Sequence, residues 1–327
     1  MDSTPFAALS PDCILNAVDA IGLRSDGRLL ALNSYENRVY QIGVEDGPPI
    51  VVKFYRPARW TDAMILEEHD FVGELARHEI PAVPPIVSGR GETLHRFAGF
   101  RFTAFPRRGG RSPELLALDT LAWLGRFLGR LHAVGAYKPF RHRPALSVRD
   151  FGEEPSTFLL SHGFIPEDLA ESYRDAVAHA LTGVRQCFDR AEAFRAIRLH
   201  GDCHVGNVLW TDDGPHFVDF DDSRMGPAVQ DLWMLLSGDR AEMTRQLGAL
   251  LSGYERFCDF DRRELYLIEA LRTLRLIHYA AWVARRWDDP AFPLAFPWFN
   301  TRGYWAERIA EIRAQIPLME APPVGMA

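Results

Sequence analysis

The chain has 327 residues, 47% of them hydrophobic and 12% aromatic, enough to bury one large core or two modest ones. Its 37 Lys and Arg against 44 Asp and Glu give a net charge of -7, which argues against nucleic acid as a partner and requires any bound polyanion to be held locally. Cys13, Cys187, Cys203 and Cys258 lie far apart with no CxxC pair, so neither a zinc knuckle nor a disulfide scaffold is expected. The opening MDSTPFAALSPDC lacks a basic patch followed by an apolar run, and no segment reaches the roughly 18 apolar residues of a membrane span. A cytoplasmic, monomeric protein with no membrane partner is the expectation.

In chain order, RLLALN, NRVYQIGV and IVVKFY read as an antiparallel meander between Arg28 and Tyr55, separated by an Asn-rich turn and by EDGPP. WTDAMILEEHDFVGELARHE then carries Met64, Ile65, Phe71, Val72 and Leu75 at helical spacing. Glu68 stands three or four residues from four of these, on the apolar face, while Glu67 and Glu74 sit nearer its edge. Proline in IPAVPPIV stops the helix. GFRFTAF supplies another strand, and PRRGGRS marks a lobe boundary.

ELLALDTLAWLGRFLGRLHAVG reads as a helix with Leu118, Leu121, Leu124, Leu128 and Leu131 on or near one stripe. Residues 139–167 read as irregular and 168–193 mostly as helix. AIRLHGD is a short strand, VLWTDDGPHFVDFDD a hairpin turning at Asp213-Gly214, and 231–316 largely helical. PLMEAPPVGMA reads as a loosely ordered tail. The sum is an α+β protein with a small antiparallel β-rich lobe, residues 1–105, and a larger helical lobe, residues 106–327.

LHGDCHVGN, residues 199–207, admits three readings. His200, Asp202 and His204 could alternate as ligands of a metallohydrolase. The stretch could be a polar turn. Or His200, Asp202 and Asn207 could form the phosphoryl-transfer pattern H-x-D-x-x-x-x-N, the aspartate handling the acceptor hydroxyl and the asparagine facing magnesium. The last reading demands more. Magnesium needs a further oxygen ligand, and Asp219 follows the HFV strand twelve residues after Asn207. A phosphate-gripping lysine is met by Lys53 in VVKFY, and the carboxylate that holds it by the inward-facing Glu68. A strand lysine is usually solvated and a helix glutamate usually surface charge, but all of them in this order favour an ATP phosphotransferase.

These residues resemble the protein-kinase-like superfamily, in the aminoglycoside phosphotransferase and choline kinase branch, which uses HGDxHxGN. LNSYENRVYQ, VVKFYRPARWT, ILEEH, RLHGDCHVGN, GPAVQDLWMLL and RRWDDPAFP are similar to a group of bacterial Ser/Thr protein kinases of that branch acting in stress response. The resemblance implies a bilobal kinase fold with ATP and Mg2+ as cofactors and a nucleotide-binding N-lobe. It further implies Asp202 as catalytic base, Asn207 and Asp219 as magnesium ligands, and Ser34 near the nucleotide. Adenine is expected near the strand Phe102 to Phe105. The expected partners are proteins bearing Ser or Thr acceptors, the kinase itself included; a small alcohol or amine acceptor, as in much of the branch, is the alternative.

Departures from ordinary protein kinases carry meaning. No G-x-G-x-x-G precedes Lys53, so NSYEN must cover phosphates with Ser34, the Asn37 side chain and backbone amides, unless these two only form a turn. Gly201 stands where regulated kinases place an arginine, and only eleven residues separate Asp219 from Asp231, so activation by loop phosphorylation is not expected. His204 either lends charge near the transferred phosphate or braces the loop. Asp231 either accepts catalytic-loop amides or caps a helix. Asp221 and Asp222 read as solvated acids, with contact of one of them to a second magnesium as the alternative.

Overall fold

Alternation of β-branched and aromatic residues with polar ones drives the first third of the chain into a sheet. After α1 (Pro11–Ala20), capped by the Ser10 hydroxyl on the Cys13 N–H, come β1 (Ser25–Ala31), β2 (Arg38–Val44), β3 (Ile50–Phe54), α2 (Asp62–Arg77), β4 (His95–Phe97) and β5 (Phe100–Pro106). The strands form one antiparallel sheet in the order β1-β2-β3-β5-β4, with Lys53 paired to Val39 on one side and Thr103 on the other. One face buries Ile42, Val52, Phe54, Phe102 and Ala104 against Ile14, Ala17 and Val18 of α1. Helix α1 is not among the elements expected from sequence; the short PDCILNAVDA segment is stabilised by this packing.

The computed structural model describes residues 5–326, which pack as two units. The first takes the chain up to Pro113 together with Phe140–Arg143 and Val205–Ser223. In it the hairpin Val208–Thr211 and Gly214–Phe217 turns at Asp212-Asp213, directly before the glycine. The second comprises Glu114–Pro139, Pro144–His204 and the chain from Arg224 onward.

The second unit is helical. It contains α3 (Leu118–Gly135), α4 (Glu154–Ser161), α5 (Glu167–Ala191), α6 (Gln230–Trp233), α7 (Arg240–Tyr254), α8 (Ile268–Ala284), α9 (Ala291–Ala295) and α10 (Arg302–Glu320). A two-stranded piece pairs Ile197–Leu199 with Arg224–Gly226. The core gathers Tyr173 and Val184 of α5, Leu274 and Ile277 of α8, and Trp305 and Ile312 of α10. Among the described residues no helix is long and apolar enough to cross a membrane.

Two expectations differ here. The stretch expected to be irregular holds a wide turn at Arg149–Glu153 and then α4, whose Pro155 lies in the first helical turn, where its missing N–H costs nothing. The described part of the tail expected to be loose, up to Met326, is packed: α10 runs through Pro317 to Glu320, and Val324 is buried. Packing overrides the proline, because Met319 is buried in the core and its carbonyl accepts from Arg190 Nη2 at 2.5 Å.

The contact between α3 and α7 depends on glycine. A Cβ at Gly125 would collide with the Leu250 carbonyl oxygen, and one at Gly253 with that of Ala122. Gly248, on the same helix as Gly253, has open space around it. Gly125→Ala is therefore expected to destabilise by about 1–3 kcal/mol despite alanine's better helix propensity, while Gly248→Ala should stabilise by up to about 1 kcal/mol. Chemical denaturation of both variants measures the two opposite signs.

Candidate active site

Lys53 lies on the central strand β3 and is only 5% exposed. Its Nζ stands 3.5 Å from Glu68 Oε1, 3.5 Å from Asp219 Oδ1 and 3.3 Å from Asp221 Oδ1, with the Phe105 ring centroid at 5.7 Å. Burial pulls the ammonium's pKa down, but Glu68, Asp221 and Asp219 outweigh it and hold the group well above its ordinary value. Lys53 is thus a permanently charged cation inside the first unit. Three of the residues expected from sequence, Lys53, Glu68 and Asp219, meet here.

The two fully enclosed acids respond differently. Burial dominates at Glu68 and raises its carboxyl, with Lys53 and Arg143 opposing. At Asp221 burial acts the same way, yet Lys53 and Arg59 prevail and bring it down to about 2. Asp221 was expected to be a solvated acid; it is 4% exposed, because two cations from other segments close over it.

Arginines that no spacing rule singled out complete the cluster. Arg143 donates from Nη1 to the Met64 carbonyl at 3.0 Å and Glu68 Oε2 at 3.4 Å, from Nε to the Ser223 carbonyl at 2.5 Å, and from Nη2 to the Asp221 carbonyl. Its own segment is fastened by Glu67, which accepts the backbone N–H groups of Arg141, His142 and Arg143. Arg59 pairs with Glu36 at 3.1 Å, Asp221 at 2.9 Å and Asp222 at 2.8 Å. Arg56 donates to the Glu36 carbonyl at 2.9 Å, and its N–H to Asn37 Oδ1 at 3.1 Å. The buried Asn37 amide therefore anchors the turn, and the Ser34 hydroxyl donates to the Asn37 carbonyl at 3.0 Å.

Asp219 differs from its neighbours. Its backbone is left-handed, φ 59° and ψ 67°, a conformation an aspartate tolerates better than most residues but one that marks strain, and its side chain is 54% exposed. Its hairpin partner strand begins after Asn207, whose carbonyl accepts the Val218 N–H at 3.0 Å. Carboxylate and amide oxygens are the donors a hard cation prefers. Among the described residues no three His, Cys, Asp or Glu side chains form a group able to hold a metal by themselves. Asp219 and Asn207 thus offer oxygens of the kind a hard divalent cation takes, with other oxygens needed to complete its shell.

The second unit holds the other end of the polar loop. Asp231 is fully buried and accepts the His200 and Gly201 N–H groups at 2.8 Å each, while His132 Nε2 lies 3.1 Å from the same carboxylate. This is the amide-accepting role; Val229, not Asp231, occupies the N-cap of α6. Gly201 has φ +88°, which a residue with a side chain adopts only with strain. His200 is buried with Nδ1 accepting the Asp202 N–H at 3.3 Å, so the three-ligand metallohydrolase arrangement does not form.

Asp202 Oδ1 accepts from Arg275 Nη1 at 2.6 Å, and its Oδ2 faces His204 Nε2 at 3.4 Å. Burial pushes this carboxyl up, but the His204 hydrogen bond and the Arg275 charge hold it well below the carboxylate range. Cys203 between them is buried and its thiol pushed up, so it stays protonated.

A buried glutamate supports the segment that leads into α6. Glu264 accepts the Val229 N–H at 2.9 Å just before α6, and burial raises it from 4.5 to about 7. A raised acid contributes stability in full below its unfolded pKa and loses it as pH rises toward the folded value. Between pH 4.5 and 7 stability should fall, by up to about 3 kcal/mol from this group. Glu264→Gln keeps the acceptor and removes the slope, so denaturation midpoints at pH 5.5 and 8 should converge in the variant.

The model of the phosphotransferase enzyme family matches residues 28–268. Stress response kinase A of Escherichia coli (strain K12) is 46% identical over 98% of this chain and 97% of its own. A serine/threonine protein kinase, RdoA, of Salmonella typhimurium is 44% identical over the same shares. In fold, the chain is similar to amicoumacin kinase hAmiN (TM-score 0.73, 21% identity, 94% of this chain and 92% of that one). It is similar as well to a microcompartment-associated aminopropanol kinase (TM-score 0.70, 17% identity, 94% and 96%). The helical unit and the antiparallel sheet with its buried lysine are thus those of a kinase, and the chain belongs to the phosphotransferase enzyme family, among the relatives of stress response kinase A.

Proposed function

We propose that the protein transfers the γ-phosphoryl group of ATP to Ser and Thr hydroxyls of proteins, itself included, in a stress response. The observation that carries the reading is the buried, charged Lys53 held by Glu68 beside the exposed Asp219. That is how a phosphate-gripping cation and a metal-binding carboxylate are arranged. Residues 1–105 would supply the nucleotide-binding groups Lys53, Glu68, Ser34 and Phe105; residues 106–327 would supply Asp202, Asn207 and Asp219. Adenine would lie near the strand Phe102 to Phe105, where Phe105 is partly exposed and Phe102 is packed in the sheet core.

In this reading the acceptor oxygen forms a bond to the γ-phosphorus as the bond to the β,γ-bridging oxygen breaks, and ADP leaves with that electron pair. The hydroxyl proton passes to Asp202. Its depressed pKa makes Asp202 mainly an orienting group that takes the proton late. Asn207 and Asp219 would hold magnesium, which neutralises phosphate charge when bound. Lys53 grips the α- and β-phosphates, and the Ser34 hydroxyl and turn amides cover them.

A second reading, transfer to a small alcohol or amine, is favoured by the acceptors named for the amicoumacin and aminopropanol kinases. Labelled ATP separates the two: label on protein supports the first, label on small metabolites alone the second. Asp202→Ala is expected to slow transfer by roughly 10²–10⁴-fold while keeping the rise in melting temperature given by magnesium and a non-hydrolysable ATP analogue. Asp219→Ala should lose both. Near-normal transfer by either variant would overturn the roles assigned.

A further inference from the structure

The carboxylate assigned to the acceptor hydroxyl is already engaged. Arg275 of α8 donates to Asp202 Oδ1 at 2.6 Å, with His204 on the other oxygen at 3.4 Å. The Arg275 side chain is 42% exposed and rests near Met234 Sδ at 3.9 Å, so it is held by the ion pair and not by deep packing. Partly exposed residues continue along α8 at spacings of three and four: Arg272, Arg275, Tyr279, Trp282 and, just past the helix end, Arg286. Tyr279 and Trp282 stack at 5.8 Å, and the Arg286 guanidinium lies 5.1 Å from the Trp282 ring centroid. Glu269, three residues before Arg272, is paired with it at 3.2 Å. The α8 face beside Asp202 is cationic and aromatic.

An acceptor hydroxyl reaches Asp202 Oδ1 only by sharing it with Arg275 or displacing it. A protonated amine on the acceptor would bring like charge against the guanidinium and leave Arg275 without a partner. A carboxylate beside the hydroxyl does the reverse, since it receives the guanidinium as Asp202 turns to the acceptor, and Arg suits that planar, two-pronged exchange. We infer that Arg275 fixes the acceptor class of this site as Ser or Thr hydroxyls flanked by an acidic side chain, and rejects cationic amino alcohols. The inference rests on the kinase reading above and narrows its acceptor.

The test is steady-state transfer at saturating ATP and magnesium to peptides sharing one serine and flanked by Glu or by Lys, with a cationic amino alcohol and an anionic hydroxy acid as small acceptors. Wild type should prefer the acidic peptide in kcat/KM by roughly tenfold or more. Arg275→Lys should retain the preference, Arg275→Gln flatten it and Arg275→Glu reverse it. A ratio is insensitive to how much of each variant is folded. An unchanged ratio in Arg275→Gln and Arg275→Glu, or an equal loss on every acceptor, overturns the assignment. If only small acceptors take label, the protein-acceptor reading falls by itself, and the hydroxy acid to amino alcohol ratio decides the role of Arg275 in the same way.

Discussion

A buried ammonium sets the terms for the first unit. Taking Lys53 out of water costs several kcal/mol unless charge and hydrogen bonds replace the lost hydration. Glu68, Asp219 and Asp221 supply the charge, but carboxylates so close together repel one another and need cations of their own. Arg143 and Arg59 answer that need. The result is a single electrostatic object joining β3, α2, the segment Phe140–Arg143 and residues 219–223, which are far apart in sequence. Removing one charge from such a set is worse than removing a balanced pair, so the cluster holds its own geometry fixed.

The second unit positions its loop by another means. Asp231, His132 and Tyr254 form a buried chain, with 3.1 Å between His132 Nε2 and the carboxylate and 3.0 Å between His132 Nδ1 and the Tyr254 hydroxyl. The carboxylate spends both oxygens on the amides of His200 and Gly201, which fixes the backbone directly before Asp202. Gln230 adds a hydrogen bond to the Gly201 carbonyl at 3.1 Å. The loop's backbone is held by Asp231 and Gln230, whereas the Asp202 side chain takes its hydrogen bonds from Arg275 and His204. That difference leaves the carboxylate free to change partners without disturbing the loop.

Much of this was readable from residue order. Lys53 alternates with apolar neighbours in a strand, Glu68 sits on the apolar stripe of a helix, and Asp219 follows a strand after a tight hairpin; each is a local pattern, and the sheet and helix that form impose the expected facing. Arg143, Arg59 and Arg275 were not legible, because an arginine paired across long separations looks in sequence like any solvated arginine. Asp221 was misread for the same reason. The ordered tail escaped notice because Pro317 argues locally against a helix, while the burial of Met319 and Val324 that outweighs it is tertiary.

The arginines also bear on control. In regulated kinases an arginine beside the catalytic aspartate senses a phosphorylated loop, and the lysine and helix glutamate come together only when that loop is ordered. Here Gly201 adopts a left-handed backbone that suits no arginine, and eleven residues join Asp219 to Asp231. Lys53 Nζ and Glu68 Oε1 stand 3.5 Å apart. Arg143 does the joining: it holds the carbonyls of Met64, Asp221 and Ser223 together with the Glu68 carboxylate, and Glu67 holds its backbone in turn. The geometry of the Lys53–Glu68 pair therefore rests on Arg143 and Glu67, groups of the same unit as the pair itself.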